Sequence, residues 1–328
     1  MARRFYINSS GRLKRKDNTI YYEIEKDGNL NKIPIPVEDI SAIYLFSETD
    51  LNTKVLNYLS QYDIPIHVFN YYGYYSGTFL PRKKNISGNL IIQQVKHHID
   101  ENKRLYLAKK FIEGSVFHIK RNLKEYSIDI TPILELEEKI DEAKSIPELM
   151  AIEGNIRNIY YKNFNLIIKN MDFFLDRREY NPPPNPINAI ISFGNSVMYS
   201  IVLTEIYRTH LEPSVSYLHS PLEKRFSLAL DIAEIFKPFI IDPLIFKLIN
   251  SGVLKINHFE KELNFAYLNE EGRKIFLQKL EDKLENNTIK HRTLSRNVSY
   301  RYLIRLECYK LIKHLLEEQM YIPFKTWW

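Results

Sequence analysis

The segment Leu228-Ala-Leu-Asp231-Ile-Ala-Glu234-Ile-Phe-Lys237 carries the first chemical signal. At about 100° per residue, Ser227, Asp231 and Glu234 fall within about 60° of one another on a helix that is otherwise apolar. Two carboxylates crowded into a narrow desolvated stripe repel unless a cation or a proton lies between them, which favours a divalent metal. The competing reading is a plain polar face turned to solvent. His219 stands just upstream in Tyr217-Leu-His219-Ser-Pro221, where the proline makes a turn and brings the imidazole to the start of the carboxylate helix. With nine histidines in the chain, a lone loop histidine also reads as a structural or exposed residue. Glu153 lies one helical turn before Arg157, an arrangement that serves equally as a surface ion pair. Together Glu153, His219 and Glu234 offer one imidazole and two carboxylates, a mixed N/O set that suits manganese or magnesium. Ligands spread over three distant segments are a weaker signal than paired C-x-x-C spacing.

Cationic residues gather nearby. Lys224 and Arg225 lie between His219 and Asp231, where they would hold a phosphate beside a metal site. Arg177 and Arg178 make a similar pair before the proline-rich loop. Residues 287–314 hold Lys290, Arg292, Arg296, Arg301, Arg305, Lys310 and Lys313 against the single acid Glu307. On one helix over 299–319, Arg301, Arg305 and Tyr309 form an i, i+4, i+8 row, opposite an apolar side of Leu303, Ile304, Leu311, Ile312 and Leu315. Basic groups interleaved with tyrosines suit phosphate contact and base stacking; a solvated face on a basic protein is the alternative.

The elements that must position these groups follow from periodicity. Ile20, Tyr22 and Ile24 alternate with polar neighbours, and Asp27-Gly28 signals a hairpin before a second strand at 29–36. Short β-rich runs occupy 42–46, 64–69 and 71–80, with a helix at 51–60 capped by Asp50. After the polar, basic break at 81–89 the pattern turns helical, beginning with one long stretch over 90–122. Ser145-Ile-Pro147-Glu148 is a capping box that launches a helix to about residue 170. Further helices are expected at 187–209, 227–237, 243–251, 270–285 and 299–319. The fold class is therefore α+β: a small, mostly β domain at 1–80, a linker at 81–89 and a larger all-α catalytic domain at 90–328.

Composition narrows the classes. The 328 residues are 45% hydrophobic, enough to bury a core, which argues against a disordered chain. Forty-six Lys and Arg against 40 Asp and Glu give a net charge of +6, which fits a polyanion partner. Only ten glycines are present, and neither G-x-G-x-x-G nor G-x-x-x-x-G-K-[ST] occurs, which disfavours dinucleotide and P-loop chemistry. No apolar run is expected to approach the roughly 18–20 residues that span a bilayer. The opening residues lack the apolar stretch of a secretory leader, and the one cysteine, Cys308, excludes an internal disulfide. A reducing cytoplasm is the expected location.

Four strings resemble one family. Ala151-Ile-Glu153-Gly154-Asn-Ile-Arg157-Asn-Ile-Tyr160-Tyr161 is similar to the E-G-x-x-R-x-x-Y-[YF] motif of the CRISPR-associated integrases that acquire spacers, the first Cas protein. Asn185-Pro186-Ile-Asn188-Ala189-Ile-Ile-Ser192-Phe-Gly194 resembles a second motif of that family. Leu218-His219, Arg225-Phe-Ser227-Leu-Ala-Leu-Asp231-Ile-Ala-Glu234 and Phe236-Lys237-Pro238 resemble a third, and Tyr321-Ile-Pro323-Phe324 fits the tail. The resemblance implies a β domain that forms a homodimer and a helical domain that carries the site. It further implies a heterohexamer in which two such dimers flank a dimer of the small second Cas protein. It carries over Glu153, His219 and Glu234 as ligands of Mg2+ or Mn2+, Glu234 standing where relatives often have Asp. Asp231 matches an acidic position tied to a second metal, proton transfer or DNA positioning, and Tyr199 falls where relatives keep a tyrosine near the scissile phosphate. The implied activity is a metal-dependent DNA endonuclease and integrase that joins prespacer 3′-hydroxyl ends to repeat DNA by transesterification. A general metal-dependent nuclease and a non-catalytic DNA-binding scaffold are the competing functions.

Overall fold

The alternation at Ile20, Tyr22 and Ile24 becomes a strand whose even positions turn inward. In the computed structural model, which describes residues 3–26, 28–180, 182–221, 226–262, 265–291 and 293–327, the chain opens with β1 (Arg3–Ile7), β2 (Gly11–Lys16), β3 (Thr19–Lys26), β4 (Asn29–Ile35), β5 (Ile40–Leu45) and β6 (Thr49–Asp50). Then come α1 (Thr53–Gln61), β7 (Ile66–Phe69) and β8 (Tyr75–Phe79). Two four-stranded sheets result, ordered β4-β3-β2-β6 and β1-β5-β7-β8. Lys26 faces Asn29 across the β3–β4 turn, where Gly28 takes φ 74°. A positive φ there is what a glycine accepts without steric cost. The helix predicted from Asp50 starts later: Asn52 caps it by accepting from Val55 N, and Asp50 belongs to β6.

β5 is buried along its whole length because both faces are covered. Ile43 and Leu45 join the core of the β domain, whereas Ala42 and Tyr44 join the core of the helical body. Phe46 meets Phe193 at a centroid distance of 5.5 Å, and His67 Nε2 lies 2.7 Å from Thr204 Oγ1.

The helical part contains α2 (Gly88–Ile99), α3 (Glu101–Glu125), α4 (Thr131–Glu142), α5 (Ile146–Lys162), α6 (Phe164–Ile167) and α7 (Pro186–Tyr207). α8 (Ser227–Phe236) and α9 (Asp242–Asn250) follow, then the hairpin β9 (Phe259–Glu262)–β10 (Phe265–Leu268). α10 (Glu270–Glu285), the short pair β11 (Thr288–Lys290)–β12 (Asn297–Ser299) and α11 (Tyr300–Leu315) close the fold. The helical domain thus carries two small hairpins that the periodicity did not show, and α4 as well. The stretch expected as one helix over 90–122 is two: Asp100 adopts φ −71°, ψ 108° and its carboxylate accepts from Lys103 N at 3.0 Å, capping α3. The helix launched by Ser145 ends at Lys162, short of the expected residue 170, and a turn at Asn163 separates it from α6.

α7 corrects the expectation that no apolar run is of spanning length. It is long and apolar enough to cross a bilayer, yet 89% of that apolar window is buried inside the protein. A helix apolar on all sides reads here as the core of a large domain. Close packing around the site needs missing side chains. A Cβ on Gly194 of α7 would meet Ile241 Cγ2 at 2.6 Å, and one on Gly114 of α3 would meet Pro323 Cβ at 2.9 Å.

Candidate active site

Three elements converge on one acidic site: α5 carries Glu153 and Arg157, α8 carries Asp231 and Glu234, and the turn before α8 carries His219. α3 packs against both helices from behind. Between α8 and α9 the backbone widens into a π turn over Lys237–Ile241, in which Asp242 N–H donates to Lys237 O. Pro238, which has no N–H to give, sits inside that turn, and its carbonyl accepts from Asn122 Nδ2 at 2.8 Å.

Asp231 is fully buried. Its Oδ2 accepts from Tyr217 N at 2.7 Å and Leu218 N at 3.0 Å, and its Oδ1 accepts from His219 N at 2.9 Å. The same Oδ1 lies 2.8 Å from His219 Nδ1. Asp231 is therefore a carboxylate wrapped by one turn. An acceptor on Nδ1 puts the proton there, and Nε2 has no hydrogen bond among the described residues. Burial pulls the His219 pKa down, but the hydrogen bond and charge of Asp231, with the charge of Glu234, raise it overall.

Glu234 is nearly buried and held by two cations. Arg157 donates to Glu234 Oε2 with one nitrogen and to Glu153 Oε1 with another, and Lys237 Nζ lies 2.6 Å from Glu234 Oε1. Burial alone would raise the Glu234 pKa; Arg157, Lys237 and His219 outweigh it and bring it to about 2. Behind them, burial pushes Asp242 up to about 6 against the charges of Arg157 and Lys237 and a hydrogen bond with Tyr160.

The structure thus brings Glu153 and Glu234 together through Arg157, and pairs His219 with Asp231. Among the described residues no three His, Cys, Asp or Glu side chains are gathered as a metal cage. Arg157 was legible only as an i+4 partner of Glu153, and its bridge to Glu234 spans 77 residues. Lys237 had a local signal in its i+3 spacing from Glu234.

The expected DNA-facing residues divide. Lys224, Arg225 and Arg292 lie outside the described residues. Arg177 is exposed and paired with Glu179 at 2.9 Å. Arg178 binds Asn188 Oδ1 at 3.0 Å and Ser192 Oγ at 2.8 Å, stitching its segment to α7. Tyr199 is buried, and its hydroxyl accepts from Phe226 N at 3.0 Å at the start of α8. Arg296 is exposed, with its guanidinium 5.4 Å from the Tyr302 ring centroid. The open row expected at Arg301 and Arg305 is corrected. Both arginines turn toward the buried Glu205 of α7, at 3.4 and 2.7 Å, and Arg301 also meets Glu285 at 2.6 Å. A buried carboxylate draws these cations inward, because an unpaired charge there would be costly.

The family model described as CRISPR associated protein Cas1 matches residues 5–282. A CRISPR-associated endonuclease Cas1 of Thermodesulfovibrio yellowstonii is 51% identical, over 99% of this chain and 100% of that protein. The solved structure of a Cas1 protein from Thermotoga maritima is 40% identical, with a TM-score of 0.90 over 98% of this chain and 100% of that one. A casposase bound to integration product shares the fold at 20% identity, with a TM-score of 0.89 over 99% of this chain and 93% of that one.

Proposed function

Because the chain belongs to the Cas1 family of CRISPR-associated endonucleases, we propose that it is a metal-dependent DNA endonuclease and integrase of CRISPR adaptation. It joins the 3′-hydroxyl ends of a prespacer duplex to repeat DNA by exchange of one phosphodiester for another. The observation that supports this reading most is the grip of Asp231 on His219 Nδ1, which leaves Nε2 without a hydrogen bond among the described residues while the charge of Glu234 acts on the ring.

The residues fit a divalent cation by their donor chemistry. Glu153, Glu234 and His219 Nε2 are the oxygen and imidazole donors that Mg2+ or Mn2+ accept, and an outer carboxylate on the far ring nitrogen is the usual support of a ligating histidine. Such an ion, when bound, would polarise the scissile phosphoryl oxygen and stabilise the leaving oxygen. The other steps belong to the chain. Arg157 and Lys237 offset the repulsion of Glu153 and Glu234 while no other cation is present. With those carboxylates satisfied by a bound cation, the Arg157 guanidinium would be free to bind a non-bridging phosphate oxygen, which its planar fork suits. His219 must lose its Nε2 proton to act as a ligand, and Asp231 keeps the remaining proton on Nδ1. Water entering in place of the 3′-hydroxyl makes the same site a nuclease.

The working assembly in this reading is a homodimer, two of which flank a dimer of the small second Cas protein on double-stranded DNA, in the cytoplasm. Strand transfer of a fluorescent prespacer into a plasmid bearing a repeat tests it, with Mn2+, Mg2+ or EDTA and with or without the small partner. Metal-dependent joining that Glu153→Ala abolishes is expected. Cutting without joining would replace the integrase with a plain nuclease, and binding with neither would leave a scaffold.

A further inference from the structure

The turn that carries His219 is held from two opposite sides, and only one of them is Asp231. The peptide between Ser216 and Tyr217 gives its N–H to Asp231 Oδ2 at 2.7 Å and its carbonyl to His98 Nδ1 at 2.6 Å. The next peptide, between Tyr217 and Leu218, gives its N–H to Asp231 Oδ2 at 3.0 Å and its carbonyl to Arg104 Nε at 2.9 Å. Each peptide plane is thus pinned at both ends, with a carboxylate on the amide side and an imidazole or a guanidinium on the carbonyl side. Hydrogen bonds with an ionised partner are about twice as strong as neutral ones, so the Tyr217–Leu218 peptide, between Asp231 and Arg104, is the better held. Gln94, fully buried, fixes the entry to the loop by exchanging two hydrogen bonds with the backbone of Glu212, at 3.1 and 2.7 Å.

We propose that Arg104 and His98 are positioning residues for His219, acting through the 216–218 backbone. The inference rests on the reading of His219 as a ligand given above. Rotating either peptide would take an N–H away from Asp231 and leave a carbonyl without its partner. The ring of His219 shares Asp231 Oδ1 with its own backbone N–H, so it would move with them. The break at Asp100 acquires a purpose in this arrangement. On one continuous helix, residues 98 and 104 would point about 120° apart. The extended backbone of Asp100 re-aims α3 against α2, so that both side chains reach consecutive carbonyls of one turn.

The test uses the full chain and two readouts: binding of Mn2+ alone, from the paramagnetic resonance of free Mn2+, and strand transfer with its kcat separated from DNA affinity. Arg104→Met is expected to weaken Mn2+ binding by about tenfold, the lower end of losses seen when supporting partners of metal ligands are removed. Its kcat should fall while DNA affinity and cooperative melting persist. Arg104→Lys, which keeps a charged donor, should recover part of both losses. His98→Asn should act in the same direction as Arg104→Met, and carries the test with Arg104→Lys if Arg104→Met fails to fold. Wild-type Mn2+ affinity and kcat in these variants, with both abolished in His219→Ala, would overturn the positioning role alone. Wild-type behaviour of His219→Ala would overturn the ligand reading and this inference with it.

Discussion

Asp231 Oδ1 grips His219 twice, at the ring Nδ1 (2.8 Å) and at the backbone N–H of the same residue (2.9 Å). A single oxygen therefore holds the backbone of His219 and also decides which ring nitrogen keeps its proton. Asp231→Asn removes the charge and offers an amide group that cannot accept at both oxygen positions. Mn2+ affinity should fall by about 10- to 100-fold, the usual cost of losing an outer-sphere partner. Strand transfer should fall with it, yet stay above that of His219→Ala. Equal activity in Asp231→Asn and wild type would show that the carboxylate has no part in holding the ring.

Arg157 stands where two carboxylates need a counter-charge. Its removal leaves Glu153 without its partner and Glu234 with Lys237 alone. Breaking a buried pair from one side costs about 3–5 kcal/mol when nothing replaces the lost charge. Arg157→Ala should therefore melt well below wild type without divalent ions. Saturating Mn2+ should raise its Tm by more than it raises that of wild type, because the ion restores the missing positive charge. An identical Mn2+ shift in both proteins would mean that the guanidinium and the ion do not answer to the same carboxylates.

The site was legible in the sequence where its signals were local. Ser145, Pro147 and Glu148 announce the start of α5, because caps act within one turn. The narrow stripe of Asp231 and Glu234 on α8 followed from wheel arithmetic, and both side chains are buried. What Asp231 binds was not legible, because its partners are backbone N–H groups whose positions depend on a turn. The break at Asp100 was hidden because no Gly or Pro stands near it to mark a stop. The inward turn of Arg301 and Arg305 was hidden because their counter-charge, Glu205, lies 96 and 100 residues upstream.

That hidden partner changes what Arg301 and Arg305 should do. Glu205 is fully buried, and its pKa stays low despite burial because Arg208, Arg305 and Arg301 surround it. Replacing Arg301 and Arg305 together with alanine should lower Tm through the stranded carboxylate, and Glu205→Gln in the same background should recover part of the loss. The salt dependence of DNA binding should keep its slope, since each phosphate contact removed would flatten it by about one unit. A flatter slope with unchanged Tm would return these arginines to the DNA path.

Acid should unfold this protein through its buried histidines. Burial brings His67, between Thr78 and Thr204, down to about 3, and it does the same to His118, against a hydrogen bond to Phe324 O. In the unfolded chain both take up protons near pH 6.5, so between about 6.5 and 3 the unfolded state binds more protons than the folded one. Stability is then complete above pH 6.5 and falls as pH drops, by about 1.4 kcal/mol per unit for each histidine. Asp242 works the other way: with its folded pKa raised to about 6, it favours the fold below the ordinary carboxylate range and loses that contribution as pH rises through 6. The two histidines outweigh the one aspartate, so denaturant midpoints should decline from pH 6.5 to pH 4. His67→Gln, which keeps a neutral polar side chain against the threonines, should be less stable at pH 7 and show a shallower decline. A decline as steep as wild type in that variant would place the acid sensitivity elsewhere.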